Sequence, residues 1–221
     1  MTPPRAVLTR LPSEVTLEVR QACARLGLVD EPRFVDIRPD PSAVINKCIF
    51  NVLAAVSAGR GSLVLGWKTH VWPRVLVEFV GHAVLAVDDV LMCITPDRYG
   101  ETMVLFVPDA RIAFDPNDST ARMPSQLVAC SDHEDIAAFI RTRQEMDAIR
   151  KAYPPGAGDL LLTGAEAERF RKLERAQRRA LRDISLRTLD HNAPCVCGRA
   201  KAFKKCCRPG MLRERDAKRT T

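Results

Sequence analysis

The stretch RVLVEFVGHAVLAV, residues 74–87, decides the fold class because aliphatic and β-branched residues dominate it in the middle of the chain. Similar short segments flank it, and turn residues separate them, which is typical of β-strands. The flanking segments are SLVLGW (62–67), VLMCIT (90–95), TMVLFV (102–107) and RIAFD (111–115), with VDD, PDRYG and VPDA as turns. This pattern predicts an antiparallel sheet between about residues 62 and 115.

Two helices are predicted before this sheet. Residues 11–28 have apolar side chains at helical spacing with Ser13 as the N-cap, and residues 43–58 form a second helix that ends at Gly59. Helices followed by strands define an α+β fold. Residues 1–125 are therefore expected to form an α+β domain with an N-terminal helix pair.

Two more helices are predicted after the sheet. A capping box opens each of them, formed by Ser131 with Glu134 and by Thr163 with Glu166, and a Pro/Gly-rich linker separates the two helices. The second helix, residues 164–189, is apolar along one side and basic elsewhere. The predicted segments are thus the α+β domain 1–125, the two basic helices 126–190, a cysteine-rich segment 191–208 and a basic tail 209–221.

Charge is distributed unevenly along the 221 residues, which carry a net charge of +7. Residues 1–140 contain 13 Lys and Arg against 17 Asp and Glu, whereas residues 141–221 contain 21 against 10. A basic segment of this kind indicates an anionic partner, here a protein, the ribosome or nucleic acid. A solvated helix face is the alternative interpretation of the basic helix.

The N-terminus MTPPRAVLTRLPSE lacks the apolar core of an export signal, and no apolar run approaches the roughly 20 residues that span a bilayer. We therefore expect a cytoplasmic protein without a membrane segment. In that reducing compartment the eight cysteines are expected to be thiols or metal ligands and not disulfides.

Four of the cysteines lie in APCVCGRAKAFKKCC, residues 193–207, with the spacing of a zinc site. They form a Cys-x-Cys pair and a Cys-Cys pair, and four thiolates complete a tetrahedral zinc shell. Gly198 permits the backbone to turn toward the metal, and the nearby Arg and Lys side chains offset the negative charge. Replacement of one ligand by His191, and four free thiols, are the alternatives. The predicted Zn2+ ligands are Cys195, Cys197, Cys206 and Cys207, and we name the predicted segment 191–208 that contains them the zinc knuckle.

The same stretch resembles the SEC-C zinc motif. The matching features are the Asn192-x-Pro194 entry, Cys-x-Cys-Gly, Phe203 and the Lys-Lys-Cys-Cys ending. The resemblance implies zinc binding and a role in contacting partners such as a chaperone or the ribosome. Arg199 and Ala200 stand where the motif usually has a Ser-Gly pair, a departure that affects the turn but not the ligands.

A second candidate site lies between residues 46 and 97. Cys48 begins a predicted helix and His82 lies on a predicted strand. A helix N-terminus lowers a thiol pKa and an imidazole accepts the proton, so Cys48 as nucleophile and His82 as base fit thiol-dependent catalysis. The position expected to orient the imidazole is Cys93, a poor orienting group. Ordinary packing of a buried thiol and a strand histidine is the alternative.

This segment also resembles an uncharacterised bacterial family that often carries SEC-C motifs. The order of Cys, His and acid along the chain is also similar to that of papain-like and transglutaminase-like folds, including the N-terminal glutamine amidases. It implies amide or acyl-transfer chemistry, with Glu78 and Trp67 shaping the cleft. The matching residues are Cys48 with Asn51, Gly66-Trp67, Glu78 with His82-Ala83-Val84, Cys93-Ile94-Thr95-Pro96, and Leu105-Phe106-Val107-Pro108-Asp109.

The family pattern has Asp where this chain has Cys93, and three interpretations follow. Asp88, Asp89 or Asp97 substitutes from a nearby turn, the Cys-His pair works alone as a dyad, or the domain has lost catalysis and kept the fold as a binding surface. A second metal site shared by the pair and Cys93 is a fourth interpretation.

Two functional hypotheses result, and both include the zinc knuckle. In the first, the protein is an adaptor whose knuckle and basic helix contact protein, ribosome or nucleic acid. In the second, it is a thiol-dependent amidase or acyl-transfer hydrolase with a Cys48–His82 dyad. The missing acid at position 93 favours the adaptor.

Overall fold

The structure is a computed structural model, and it describes residues 8–153, 161–199 and 201–217. It divides into two compact units, which we name the sheet unit and the helical unit. The sheet unit consists of Leu11–Pro73 and Val77–Val128, and the helical unit consists of the described parts of Met1–Arg10, Arg74–Leu76 and Ala129–Thr221. Helices combined with an antiparallel sheet confirm the predicted α+β class.

The sheet unit contains two helices and most residues of six strands. In chain order they are α1 (Leu17–Arg25), β1 (Arg33–Asp36), α2 (Cys48–Ser57), β2 (Ser62–Trp72), β3 (Leu76–Val87), β4 (Val90–Met92), β5 (Met103–Pro108) and β6 (Ser125–Ala129). The predicted helix pair is therefore present with shorter bounds. The N-cap of α1 is Thr16, whose hydroxyl accepts from the Val19 N–H, so the prediction of Ser13 as the cap was wrong.

The predicted strand at residues 111–115 was also wrong, because turn chemistry dominates its start. The Asp109 carboxylate accepts a hydrogen bond from the Arg111 N–H, and the Ile112 N–H donates to the Asp109 carbonyl. An Asx turn of this kind competes with strand pairing. Two short strands, β1 and β6, were not predicted.

The strands pair in the order β1-β5-β2-β3-β4, with β6 also beside β3. The two ends of this order are connected just beyond β4. The Cys93 N–H donates to the Asp36 carbonyl at 2.9 Å, and the Arg38 N–H donates to the Cys93 carbonyl at 2.8 Å. The sheet therefore closes on itself, and side chains on its inner side converge on one interior.

Successive residues of β3 point to opposite sides of the sheet, and a separate apolar cluster covers each side. Ala83 and Leu85 contact the buried residues of α2, whereas Val84 belongs to the opposite cluster. The first cluster includes Ile49, Val52, Ala55 and Ile94, and the second includes Val35, Cys93, Val104 and Phe106. His82 lies in register with Val84 and therefore on the side of β3 that faces away from α2.

The helical unit contains α3 (Glu134–Lys151), α4 (Gly164–Thr188), a 3-10 turn (Phe203–Lys205) and α5 (Arg208–Ala217). The two predicted long helices are present, and α5 covers much of the predicted tail 209–221. The capping box of α3 was a wrong prediction, because His133 occupies the N-cap and the Ser131 hydroxyl is buried without a hydrogen-bond partner among the described residues. Most of the predicted linker lies outside the described residues.

The α3 and α4 helices pack together within the helical unit. The Arg187 guanidinium donates to both carboxylate oxygens of Asp135, with its shortest contact at 2.7 Å. At the other end, Tyr153 donates to the Glu166 carboxylate. Ile136 and Ile184 are fully buried. The apolar side of α4 is thereby covered, which leaves its basic side toward solvent.

Candidate metal centre and thiol cavity

The sulfur atoms of Cys195, Cys197, Cys206 and Cys207 lie within 4.8 Å of one another. The Cys197 and Cys206 sulfurs are 3.4 Å apart, and the Cys206 and Cys207 sulfurs are 4.0 Å apart. Four sulfurs about 2.3 Å from one zinc ion are about 3.8 Å from each other in a tetrahedron. The donor set and its spacing therefore fit Zn2+ without a change of chain path.

Local backbone structure brings the two cysteine pairs together. A bridge between Pro194 and Ala202 forms a short antiparallel connection, and Gly198 has a φ of 76° at the turn after the first pair. The 3-10 turn then leads into the second pair, where Cys206 has φ −123° and ψ −102°. This irregular conformation allows the adjacent side chains of Cys206 and Cys207 to point toward the same cluster.

A small apolar core supports the cysteine cluster. Phe203 has 1% of its surface exposed and Cys195 has 5%. The Phe203 N–H donates to the Ala193 carbonyl at 2.9 Å, and the Lys204 N–H donates to the His191 carbonyl. Within the described residues His191 is not part of the sulfur cluster, so the four cysteines are the donor set.

Contacts within the cluster change the pKa values of Cys197, Cys206 and Cys207. Burial raises the pKa of Cys197, but the Arg199 N–H and the neighbouring thiols outweigh burial and lower it to about 7. The hydrogen bond that Cys206 shares with Cys197, followed by burial, raises the pKa of Cys206. Burial also raises the pKa of Cys207. The Cys197 sulfur is thus the readiest to become a thiolate, whereas Cys206 and Cys207 keep their protons until a bound cation displaces them.

Comparison with known sequences assigns this segment to a class. The sequence model of the SEC-C motif matches residues 192–209, which include all four cysteines. No curated protein and no solved structure matches the chain. The C-terminal segment is therefore a SEC-C motif with a cysteine cluster suited to zinc. None of the described helices has the length and apolar character needed to cross a bilayer.

A cavity of about 390 Å³ lies in the sheet unit and contains the predicted catalytic pair. Cys48 and His82 both line it, as does Cys93. Its other lining residues include Asn46, Lys68, His70, Thr95, Asp97, Arg98, Tyr99 and Glu101. Trp67 and Glu78 are not among the lining residues, and the indole N–H of Trp67 donates to Asp109 at 2.9 Å.

Within this cavity, His82 contacts Cys93. The His82 Nε2 lies 3.2 Å from the Cys93 sulfur, and the Cys93 thiol also lies 3.6 Å from the Thr95 carbonyl oxygen. Cys48 instead packs against the apolar cluster on the α2 side of β3, and its sulfur accepts a hydrogen bond from the Ala83 N–H. The structure therefore gathers the three predicted residues around one cavity and pairs the imidazole with the second thiol.

No aspartate replaces the missing acid among the described contacts of His82. Asp97 accepts from the Lys68 ammonium at 2.7 Å with one oxygen, and from the Tyr99 and Glu101 N–H groups with the other. Asp88 and Asp89 have positive φ in the turn between β3 and β4. The acid-substitution interpretation thus lacks a geometric basis. The second metal site also lacks a geometric basis. Among the described residues, the side chains that come close enough to share a metal ion are the four cysteines of the SEC-C segment.

The electrostatics of the cavity keep both members of the predicted pair neutral. Burial raises the pKa of Cys48, and the Ala83 N–H offsets this only in part. Burial, followed by the positive charge of Lys68, lowers the pKa of His82 to about 3. At neutral pH the resting cavity therefore holds a thiol and an uncharged imidazole and no thiolate–imidazolium pair.

We expect Cys48 to be alkylated more slowly by iodoacetamide than the same cysteine in unfolded protein throughout pH 6–9, because the reactive thiolate is suppressed by burial. The His82→Ala variant is expected to show the same rate profile. Site-resolved mass spectrometry measures both rates. An apparent Cys48 pKa below the free-thiol value of about 8.5, rising when His82 is removed, would establish an activated nucleophile instead.

One feature of the cavity, an ion pair, was not predicted. The Lys68–Asp97 ion pair joins a strand to the loop before β5, and its side chains are 17% and 6% exposed. A lysine within the apolar strand SLVLGWKTHVW was the available sequence signal, because a buried charge requires a partner. The partner, Asp97, is 29 residues away in sequence, and local sequence does not specify a contact over that separation.

Proposed function

We propose that this protein is a zinc-dependent adaptor, in which the SEC-C segment holds Zn2+ and acts with the basic helix α4 to contact an anionic partner. The observation on which this depends is the convergence of four cysteine sulfurs within 4.8 Å inside the SEC-C match. Bound zinc would stabilise the four thiolates and thereby fix the chain around them. The ligands would be Cys195, Cys197, Cys206 and Cys207.

Charge around the knuckle supports an anionic partner. Four thiolates and one Zn2+ together carry a charge of about −2. Arg199, Lys201, Lys204 and Lys205 lie next to the ligands in sequence, and all four are exposed. Their combined charge exceeds that of the loaded site, so the knuckle surface stays positive. The adjoining α4 adds further basic side chains within the same unit.

This proposal predicts that zinc-loaded protein elutes from heparin at higher salt than a Cys206→Ser/Cys207→Ser variant. The variant keeps every basic residue but loses the metal that orders the knuckle, so its charges are no longer held on one surface. Heparin chromatography with a salt gradient measures the difference. The matched control is Cys48→Ser/Cys130→Ser, which removes two thiols outside the cluster. Equal elution of all three proteins would show that the knuckle does not contribute to anion binding.

The hydrolase hypothesis remains a prediction. In its favour, Cys48 and His82 line one cavity. Against it, burial opposes ionisation of both groups, and His82 contacts Cys93. The adaptor is therefore the function that the described geometry supports better.

A further inference from the structure

Four arginines form one exposed line on α4, and we name this line the arginine stripe. Its members are Arg171, Arg175, Arg178 and Arg179, and all four are exposed. Residues at positions i, i+4, i+7 and i+8 share one face of an α-helix. At a rise of about 1.5 Å per residue, the stripe extends about 12 Å along the helix.

Among the described residues, the stripe lacks acidic partners, whereas the other basic residues of α4 all have them. Arg169 contacts Glu145, Lys172 contacts Glu168, and Arg187 contacts Asp135. Within the part of the chain that the structure describes, none of the four stripe guanidinium groups forms an ion pair or a side-chain hydrogen bond. Because α4 is held from its opposite side by α3, the stripe presents unneutralised charge from a rigid element.

The chemistry of the stripe favours phosphate over carboxylate-bearing protein surfaces. Guanidinium groups match carboxylate and phosphate oxygens alike with two parallel hydrogen bonds, so the surroundings of the stripe decide between them. A stable protein interface additionally needs apolar or aromatic anchors at its centre. The exposed positions from residue 171 to residue 179 are all basic, so the stripe offers no such anchor.

The stripe also lacks an exposed aromatic platform for the stacking of bases. The aromatic residue of α4 is Phe170, which is half-buried and lies under the Arg150 guanidinium at 5.3 Å. Single-strand binding depends on exposed aromatic platforms, whereas a duplex presents its phosphates without exposing base faces. One strand of a duplex carries about three to four phosphates in 12 Å, which matches the number of arginines.

We propose that the arginine stripe of α4 binds the phosphate backbone of a double-stranded nucleic acid without reading its bases. This inference rests on the proposed function in one respect, because it specifies the anionic partner of the basic helix. It does not depend on zinc, since the stripe lies on a helix that ends before the knuckle.

The test uses the full-length, zinc-loaded protein and a fluorescent 20-base-pair RNA duplex of mixed sequence, with a DNA duplex of the same length as a second probe. Fluorescence anisotropy gives the dissociation constant between 50 and 200 mM salt. The test variant is Arg171→Gln/Arg175→Gln/Arg178→Gln/Arg179→Gln. The control is Arg20→Gln/Arg38→Gln/Arg141→Gln/Arg169→Gln, which removes the same charge from exposed arginines that have acidic partners.

Each phosphate contact contributes about 0.9 to the slope of log affinity against log salt. We expect the test variant to lower this slope by about 3 to 4 relative to wild type, and the control by less than 1. Changing the duplex sequence should leave both affinities unchanged. Comparison of the two probes then shows whether RNA or DNA geometry suits the stripe better, and the loss of slope with either duplex supports the proposal.

Three outcomes would overturn this inference. The first is an equal slope change in the test and control variants, which would indicate net charge alone. The second is competition by poly-L-glutamate as effective as that by unlabelled duplex, which would indicate an acidic protein partner. The third is a wild type that does not bind either duplex. If Cys206→Ser/Cys207→Ser loses zinc and heparin affinity but keeps the wild-type salt slope for the duplex, the stripe proposal stands. If instead the four stripe substitutions leave the slope unchanged while Cys206→Ser/Cys207→Ser still loses zinc and heparin affinity, the stripe proposal fails and the zinc-knuckle proposal stands.

Discussion

Removal of zinc should abolish the order of the knuckle and leave the sheet unit folded. We expect one zinc ion per chain, and we expect chelation to expose the backbone amides of residues 191–217 to rapid hydrogen exchange. The knuckle contains few buried side chains, chiefly Phe203 and Cys195, so its apolar core is too small to hold the chain alone. Structural zinc sites contribute about 10–16 kcal/mol of apparent binding free energy, which far exceeds what two buried side chains supply.

Hydrogen exchange by mass spectrometry, combined with elemental analysis, measures both effects on the full chain. Cys206→Ser/Cys207→Ser should contain less than a tenth of a zinc ion per chain and should exchange like the chelated wild type. Cys48→Ser/Cys130→Ser, which removes the same number of thiols elsewhere, should keep its zinc. Retention of stoichiometric zinc by the first variant would exclude these four cysteines as the ligand set.

The knuckle was predicted more completely than any other part of the structure, and the reason is its local character. All four cysteines of the cluster lie within thirteen consecutive residues, from Cys195 to Cys207, so residue type and spacing already define the cluster. The convergence of two adjacent cysteines requires an irregular backbone, and Cys206 has one. Short-range geometry of this kind depends little on the rest of the fold.

The sheet unit was predicted in class but not in its closure or its cavity. Apolar segments such as SLVLGW and TMVLFV identified β2 and β5, because alternation and turn residues are local signals. The bonds that close the sheet join Asp36 to Cys93, and no local pattern specifies a contact across that separation. The sequence analysis did place Cys93 at the position that orients His82, and the structure has these two side chains in contact.

The cavity shows how the environment of a residue type decides its chemistry. A cysteine at a helix N-terminus and a histidine nearby are the residues that thiol catalysis uses. Here Lys68 contributes positive charge beside His82 while burial removes solvent from both groups, so neither ionises. Lys68 is in turn held by Asp97. Burial is the larger cause for both groups, and the ion pair adds a positive charge next to His82, so its removal tests that smaller contribution.

Asp97→Asn should destabilise the sheet unit by about 3 kcal/mol at pH 7, because it leaves the Lys68 ammonium largely buried without its partner. The asparagine carbonyl oxygen can still accept from the Tyr99 and Glu101 N–H groups, so the loop keeps its local hydrogen bonds. Urea unfolding followed by tryptophan fluorescence measures the change. Both tryptophans, Trp67 and Trp72, belong to the sheet unit, so the signal reports that unit alone.

A double variant separates the ion pair from other effects of the substitution. Lys68→Met/Asp97→Asn removes the stranded charge and should recover most of the lost stability, since an apolar replacement for a buried pair is often neutral. If the double variant is as unstable as Asp97→Asn, the loss comes from the loop and not from the uncompensated ammonium. Lys68→Met also removes a positive charge next to His82, so the His82 pKa, followed by NMR, should rise.

The destabilisation by Asp97→Asn should depend on pH in a defined direction. Burial raises the pKa of Asp97, but the Lys68 ammonium and the two backbone N–H groups outweigh it, so the folded-state pKa is lowered. A lowered folded-state pKa gives stability that is fully present above the unfolded value of about 3.9 and is lost as pH falls through the folded value. The stability difference between wild type and Asp97→Asn should therefore be constant from pH 5 to pH 7 and shrink below about pH 4. A difference that instead grows on acidification would mean that Asp97 is not the ionised partner of Lys68.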